Sequence, residues 1–223
     1  MTYIKICGIR FFDDAVAAIE AGADYLGFNF YSRSSRFIEP ACCKKIAELL
    51  KNRYPQVRLV GVFVNTPLPE IRNVQKACLL DKVQLHGDES PLMVQEMEGA
   101  AYKAFRGTPK IIADYLVGNE TPAFLMDADA SQAYGGTGQL TDWDQAALLA
   151  EQYRFFLAGG LNPENVAAAV QQVKPWGVDV ASGVESAPGH KDRDKMNAFV
   201  RAVRQADKQE QVLQNYRLML ERI

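Results

Sequence analysis

The sequence predicts a single-domain α/β fold, a (β/α)8 (TIM) barrel with an additional C-terminal helical tail, and three observations carry that prediction. Short runs rich in Ile, Val, Leu and Phe alternate with longer amphipathic stretches rich in Ala, Glu, Lys and Gln. The alternation repeats about every 25 residues through eight units, the number at which parallel strands with covering helices close on themselves. The 223 residues are 48% hydrophobic and 23% charged, an ordinary globular balance at a length that α/β barrels fill as one domain. An open doubly wound sheet is the competing arrangement, but no G-x-G-x-x-G follows the first strand, which counts against a dinucleotide fold.

The elements follow in order. Strands are expected in YIKIC, YLGFNF, VRLVGVF, KVQLH, AYKAF, AFLMD, RFFLAG and GVDVAS, all short and rich in β-branched or aromatic residues. Helices are expected in DDAVAAIEAG, PACCKKIAELLKNR, LPEIRNVQKACL, SPLMVQEMEG, PKIIADYLVG, WDQAALLAEQ, NPENVAAAVQQV and KDRDKMNAFVRAVRQA. Pro40, Pro67 and Pro91 fall at or near first turns, where the missing N–H costs nothing. Asn162, followed by Pro163, is an N-cap candidate, and Gly22, Gly99 and Gly118 close helical patterns. The expected division is a barrel over 1–206 and a helical extension over 207–223. Val212, Tyr216, Met219, Leu220 and Ile223 form one apolar face of that tail. The face either packs on the barrel, in continuity with the eighth helix, or makes a homodimer contact.

Composition narrows the function classes. A formal net charge of −2 gives no basic surface for nucleic acid or an anionic membrane. No run reaches the ~18 apolar residues of a membrane span, and MTYIKICGIR lacks the pattern of a secretory leader, so a cytoplasmic protein is expected. Cys7, Cys42, Cys43 and Cys78 show no C-x-x-C spacing, which argues against zinc. The last three lie in helical patterns and read as packing. With only His86 and His190 available, a metal-ligand cluster is not expected.

A barrel of this kind builds its site where strands end. Those ends carry Cys7, Asn29, His86, Asp127 and Asp179. If Cys7 faces the mouth, strand alternation turns Lys5 inward one layer below and Ile4 and Ile6 toward the helices. A buried Lys5 needs a counter-charge, for which Asp127 and Asp179 are candidates. A cation near Cys7 would favour its thiolate and lower its pKa. His86 is a candidate for the pocket wall or for a hydrogen-bonded strand end, and Asp179 for a sugar hydroxyl or for pairing with Lys5. Glycine turns in YGGTG (with Gly136), in LAGGL (Gly159, Gly160) and in VASGV (Ser182, Gly183) expose backbone N–H groups suited to phosphate. In the loop YSRSSRFIEP, Arg33 and Arg36 can reach over the mouth, where a guanidinium fork suits a carboxylate or phosphate.

Together, KICGI, GADYLGFNFYSRSSRFI, GVFVN, VQLHGDES, LMD before YGGTG, LAGGLNPENV and VDVASGVESAPGHKD resemble the phosphoribosylanthranilate isomerase family of tryptophan biosynthesis, in family order over residues 3 to about 205. The resemblance implies an Amadori rearrangement of the phosphosugar N-(5-phosphoribosyl)anthranilate to 1-(2-carboxyphenylamino)-1-deoxyribulose 5-phosphate, without cofactor or metal. It implies Cys7 as general base, Asp127 as general acid, Arg36 as holder of the anthranilate carboxylate, and the GGTG, AGGL and ASGV turns as the phosphate grip. Three positions depart from the usual pattern: Arg10 where threonine is usual, Asn29 where an apolar residue is common, and Ala181 where serine is frequent. Other sugar-phosphate isomerase or epimerase barrels, and a non-catalytic phosphosugar-binding barrel, are the competing readings. Retention of both Cys7 and Asp127 argues against pure binding.

Overall fold

The computed structural model describes residues 1–128 and 141–220, the stretch 214–220 by backbone alone. Eight parallel strands close into a barrel in sequence order: β1 (Tyr3–Cys7), β2 (Tyr25–Asn29), β3 (Arg58–Phe63), β4 (Lys82–Leu85), β5 (Ala101–Arg106), β6 (Phe124–Asp127), β7 (Phe156–Leu157) and β8 (Gly177–Val180). Closure comes from β8 pairing with β1, with Lys5 opposite Asp179 in the register. The described helices are α1 (Phe12–Ala21), α2 (Pro40–Arg53), α3 (Leu68–Ala77), α4 (Pro91–Gln95), α5 (Trp143–Ala150), α6 (Val166–Val173) and α7 (Arg193–Leu220). A hairpin of β9 (Glu185–Ala187) and β10 (His190–Lys191) stands between β8 and α7.

Strand alternation sorts the core into two. Ile4, Ile6, Leu26, Phe28, Leu59, Val83, Leu85, Phe124, Met126 and Val178 face outward onto the helices and are almost wholly buried there. Inside the barrel, Val60, Tyr102, Ala104, Leu125, Phe156 and Ala158 form a second, smaller cluster. The N-terminal end is plugged by rings: Phe156 meets Tyr25 at 5.3 Å and Trp176 at 5.0 Å, and Trp176 meets Tyr3 at 4.5 Å.

Local chemistry accounts for the helix ends. Pro40 and Pro91 occupy first-turn positions of α2 and α4, and Gly22 ends α1 in the left-handed region at φ 110°. Asn162 caps an irregular turn that precedes α6, accepting from the N–H groups of Glu164 and Asn165, so α6 itself begins later than NPENV suggests.

Between β5 and β6 the expected helix in PKIIADYLVG is only a 3₁₀ turn, Ala113–Tyr115. Three contacts cover the barrel there without a full helix: Ile112 is buried, the Tyr115 ring meets Phe105 edge-on at 5.2 Å, and the Tyr115 hydroxyl donates to the Glu89 carbonyl at 3.2 Å.

The tail continues α7 without a break across residue 206. Asp207 is bound to the barrel by the Thr2 hydroxyl at 2.7 Å and the Thr2 N–H at 3.0 Å, whereas Val212 and Leu213 are 66% and 55% exposed. No helix among the described residues is long and apolar enough to cross a membrane.

Candidate active site

The C-terminal mouth opens into a cavity of about 350 Å3 lined by Cys7, Arg36, Gln84, His86, Asp127 and Asp179, with Asn29, Arg33 and Ala181 at its wall. Cys7, Arg36, His86, Asp127 and Asp179 are thus brought to one space from five βα segments. The other expected site residues sit on neighbouring turns. Gly159 (φ 86°) and Gly160 (φ 64°) hold left-handed conformations after β7. Gly183 lies so close to the Leu161 carbonyl that a Cβ would stand 2.0 Å from it, which packs the turn after β8 onto the turn after β7. Ser182 is exposed on that turn. Gly136 lies outside the described residues.

The thiol of Cys7 is placed by two glycines. Gly8 turns the chain at φ 83°, and a Cβ there would meet Arg36 Cδ at 2.5 Å, so the guanidinium stem passes directly over this bend. Gly27 on β2 leaves room for the sulfur, which would lie 2.6 Å from a Cβ at that position.

Lys5 lies one layer below Cys7, as alternation predicts, and Asp179 is its counter-charge at 2.8 Å. Burial pulls Lys5 down, but Asp179, Cys7 and Tyr102 around it outweigh that and keep its ammonium charged. One expectation is corrected here. Burial dominates and pushes the Cys7 thiol up rather than down, although the nearby Lys5 cation favours its thiolate.

Arg36 forms a bidentate pair with Glu185, Nε to Oε1 and Nη2 to Oε2, both at 2.8 Å. Lys191 meets the same carboxylate at 3.0 Å and the Ala181 carbonyl at 3.0 Å. Burial alone would raise Glu185, but Arg36 and Lys191 hold its carboxyl below the usual carboxylate range. This triad fixes Arg36 by one edge of its fork. Sequence reasoning missed Glu185: Lys191 stands six residues on as an opposite charge, but its burial and the pairing with Arg36 are seen only in the fold.

At the opposite wall, His86 Nε2 faces Asp127 Oδ2 at 3.4 Å, and Asp127 Oδ1 accepts from the Ala128 N–H at 2.9 Å. Behind them Gln84 bonds His86, Lys5 and Tyr102. Gln84 was also missed. The alternation argument used for Lys5 and Cys7 applies equally to Gln84 and His86, two residues apart on β4.

The departures resolve into local roles. Arg10 lies along the loop after β2, reaching the Ser35 carbonyl at 3.4 Å and covering the Phe11 ring at 5.4 Å. Asn29 spends its amide on that same loop, accepting from the Tyr31 N–H at 2.9 Å and donating to Ser34 Oγ at 3.2 Å. Ala181 contributes only its carbonyl, to Lys191. His190 is an exposed hairpin residue stacked on Phe11 at 5.1 Å. Cys43 and Cys78 are buried as expected, but Cys42 faces solvent on α2 and does not pack. Among the described residues no three or more His, Cys, Asp or Glu side chains converge as metal ligands.

A family model described as N-(5'phosphoribosyl)anthranilate (PRA) isomerase matches residues 4–202. The chain belongs to this family. An N-(5'-phosphoribosyl)anthranilate isomerase of Trichlorobacter lovleyi is 44% identical over 207 residues, 92% of this chain and 100% of that one. The crystal structure of phosphoribosyl anthranilate isomerase from Thermus thermophilus superposes with a TM-score of 0.81 at 35% identity, covering 92% of this chain and 99% of that one. A second family structure holds reduced 1-(o-carboxyphenylamino)-1-deoxyribulose 5-phosphate and matches with a TM-score of 0.74 at 33% identity, over 92% of this chain and 99% of that one. The eight-stranded closed barrel is the family's fold, as the sequence predicts.

Proposed function

We propose that the chain is a phosphoribosylanthranilate isomerase in which Cys7 is the general base and Asp127 the general acid, acting on one sugar held between a carboxylate site and a phosphate site. The observation that carries this reading is the convergence of Cys7 and Asp127, 120 residues apart in sequence, on one mouth cavity that Arg36 also lines.

In the first step Asp127 gives its proton to the furanose ring oxygen as the bond from that oxygen to C1 breaks. The bonding pair stays on oxygen, and the amine nitrogen's lone pair forms the C=N bond of a protonated Schiff base. That cation acidifies the C2 proton. Cys7, as thiolate, removes it; the C–H pair becomes the C1=C2 bond and the C=N π pair returns to nitrogen. The enolamine becomes the ketone when the C2 hydroxyl loses its proton and C1 gains one. No step needs a cofactor or metal.

Arg36, with one edge committed to Glu185, is the holder of the anthranilate carboxylate. The turns at Gly159, Gly160, Ser182 and Gly183, with Gly136, are the phosphate grip. Anchoring both anionic ends fixes the sugar between base and acid. His86 is a wall residue of the same pocket, and Asp179 acts through Lys5 rather than on a sugar hydroxyl.

Free thiols at all four cysteines accord with a reducing, cytoplasmic setting. Residues 207–223 are proposed as an extension of the 1–206 barrel that pairs two copies through the apolar face of the tail, of which Val212 is exposed, the side chains of Tyr216, Met219 and Leu220 are not described, and Ile223 lies outside the described residues. Removal of residues 207–223 should convert a dimer to a monomer by mass in solution, and an unchanged number of copies would overturn that pairing.

Turnover with the anthranilate phosphosugar tests the main reading. Cys7→Ser and Asp127→Asn each lower kcat by roughly 10³-fold or more while binding of the reduced product analogue survives. Near-normal turnover in either variant overturns the corresponding role.

A further inference from the structure

We propose that Gln84 fixes the proton of His86 on Nε2, making His86 a hydrogen-bond donor to Asp127 and not a second base in the cavity. The proposal rests on the acid role of Asp127 given above, but its geometry stands on its own.

The donors and acceptors around Gln84 leave one arrangement. An ammonium can only donate, so the Gln84 atom that meets Lys5 Nζ at 3.0 Å must be the amide oxygen. The Tyr102 hydroxyl donates to the same oxygen at 3.0 Å. With Oε1 committed to Lys5 and Tyr102, Gln84 turns its NH2 toward His86 Nδ1, 3.0 Å away. An amide NH2 has no lone pair to offer, so Nδ1 accepts and carries no proton. In the neutral ring the proton therefore sits on Nε2. That atom is buried and, among the described residues, has no hydrogen-bond partner of good geometry, yet it faces Asp127 Oδ2 at 3.4 Å.

The slack contact has a use in the reaction. While Asp127 keeps its proton, His86 N–H gains little from it. Once Asp127 has passed that proton to the ring oxygen, the new carboxylate draws a short, charge-assisted hydrogen bond from Nε2–H. The interaction strengthens only as charge develops, which is how a donor accelerates a step. Lys5, itself paired with Asp179, and Tyr102 hold the Gln84 oxygen, and Gln84 converts their fixed positions into a defined tautomer. Gln84 is thus a positioning residue, acting through His86.

The chain has only two histidines, so 15N-histidine labelling of the full-length protein gives two resolvable imidazoles. At pH 8 the His86 ring should show a lone-pair nitrogen at Nδ1 and a protonated Nε2, while exposed His190 exchanges between tautomers and serves as the internal control. In Gln84→Glu the new carboxylate accepts from Nδ1–H, the tautomer inverts, and kcat falls roughly 10- to 100-fold with KM within about threefold. A wild-type His86 protonated on Nδ1 overturns the proposal without any variant. So does Gln84→Glu that inverts the tautomer and leaves kcat unchanged. Asp127→Asn, which tests the acid role alone, separates a failure of that reading from a failure of this one.

Discussion

The two ends of the barrel are built from the same eight strands and to opposite specifications. The N-terminal end is closed by Tyr3, Tyr25, Phe156 and Trp176, with Phe156 edge to face against Tyr25 and Trp176 and the Tyr3 ring tilted onto Trp176. The C-terminal end holds Cys7, Arg36, His86, Asp127 and Asp179 around an open cavity, with Lys5 and Gln84 just beneath. A strand can serve both ends because its inward positions are two residues apart: β1 presents Lys5 and then Cys7, and β4 presents Gln84 and then His86. The difference teaches that stability and chemistry are assigned to different layers of one interior, with the polar layer as their boundary. Substitutions should therefore separate cleanly by depth.

Truncation at the plug is the strongest test of that separation. Phe156→Ala removes a fully buried ring and should cost about 3–5 kcal/mol of unfolding free energy in urea melts, with kcat/KM per folded molecule close to wild type. A catalytic loss matching the mouth variants would show that the two layers are not independent.

At the mouth, Arg36→Met should do the reverse. It removes the carboxylate holder and should raise KM roughly 10- to 100-fold with little change in kcat. It also strips Glu185 of one of its two cations, leaving Lys191 as the remaining partner. An unchanged KM would assign the anthranilate carboxylate elsewhere.

The smallest expected effect lies in the pH profile. Burial raises the Cys7 thiol above its ordinary value near 9, and Lys5 offsets only part of that. A base works when deprotonated, so a raised pKa moves activity toward alkali. The limb of kcat/KM set by Cys7 in the free enzyme should still be climbing at about pH 9, by roughly two- to threefold over the last half pH unit. A plateau already reached below about pH 8 would mean that Cys7 sits in a less buried or more cationic place than the mouth provides.

How much of this was legible beforehand follows the reach of each signal. Strand cores were readable because alternation is local, and the inward lysine on β1 follows from it alone. The strand in RFFLAG was overread: only Phe156–Leu157 pairs on both sides, since Gly159 and Gly160 bend the chain into the turn. The fifth helix was overread too, because Ile112, Tyr115 and Leu116 cover the barrel from a single turn. Within the site, Cys7 and Asp127 stood among several polar strand-end candidates, and only the family resemblance singled them out as base and acid. Glu185 was not among them, because what makes it matter is Arg36, 149 positions away. The inward placement of Gln84 was readable from alternation, but its amide orientation was not, being set by Lys5 at a separation of 79. The upward shift of Cys7 could not be read at all, since a neighbouring cation is visible in a strand pattern and the depth of burial is not.

The most direct test of the base and acid roles is a crystal structure of this chain with the reduced anthranilate–ribulose phosphate analogue bound. The account predicts the Cys7 sulfur within about 3.5 Å of the sugar C2 and the Asp127 carboxyl in hydrogen-bond reach of the C4 oxygen, with the anthranilate carboxylate on Arg36. An analogue seated with neither group on the reacting atoms, or with both on one side of the sugar chain, would contradict it.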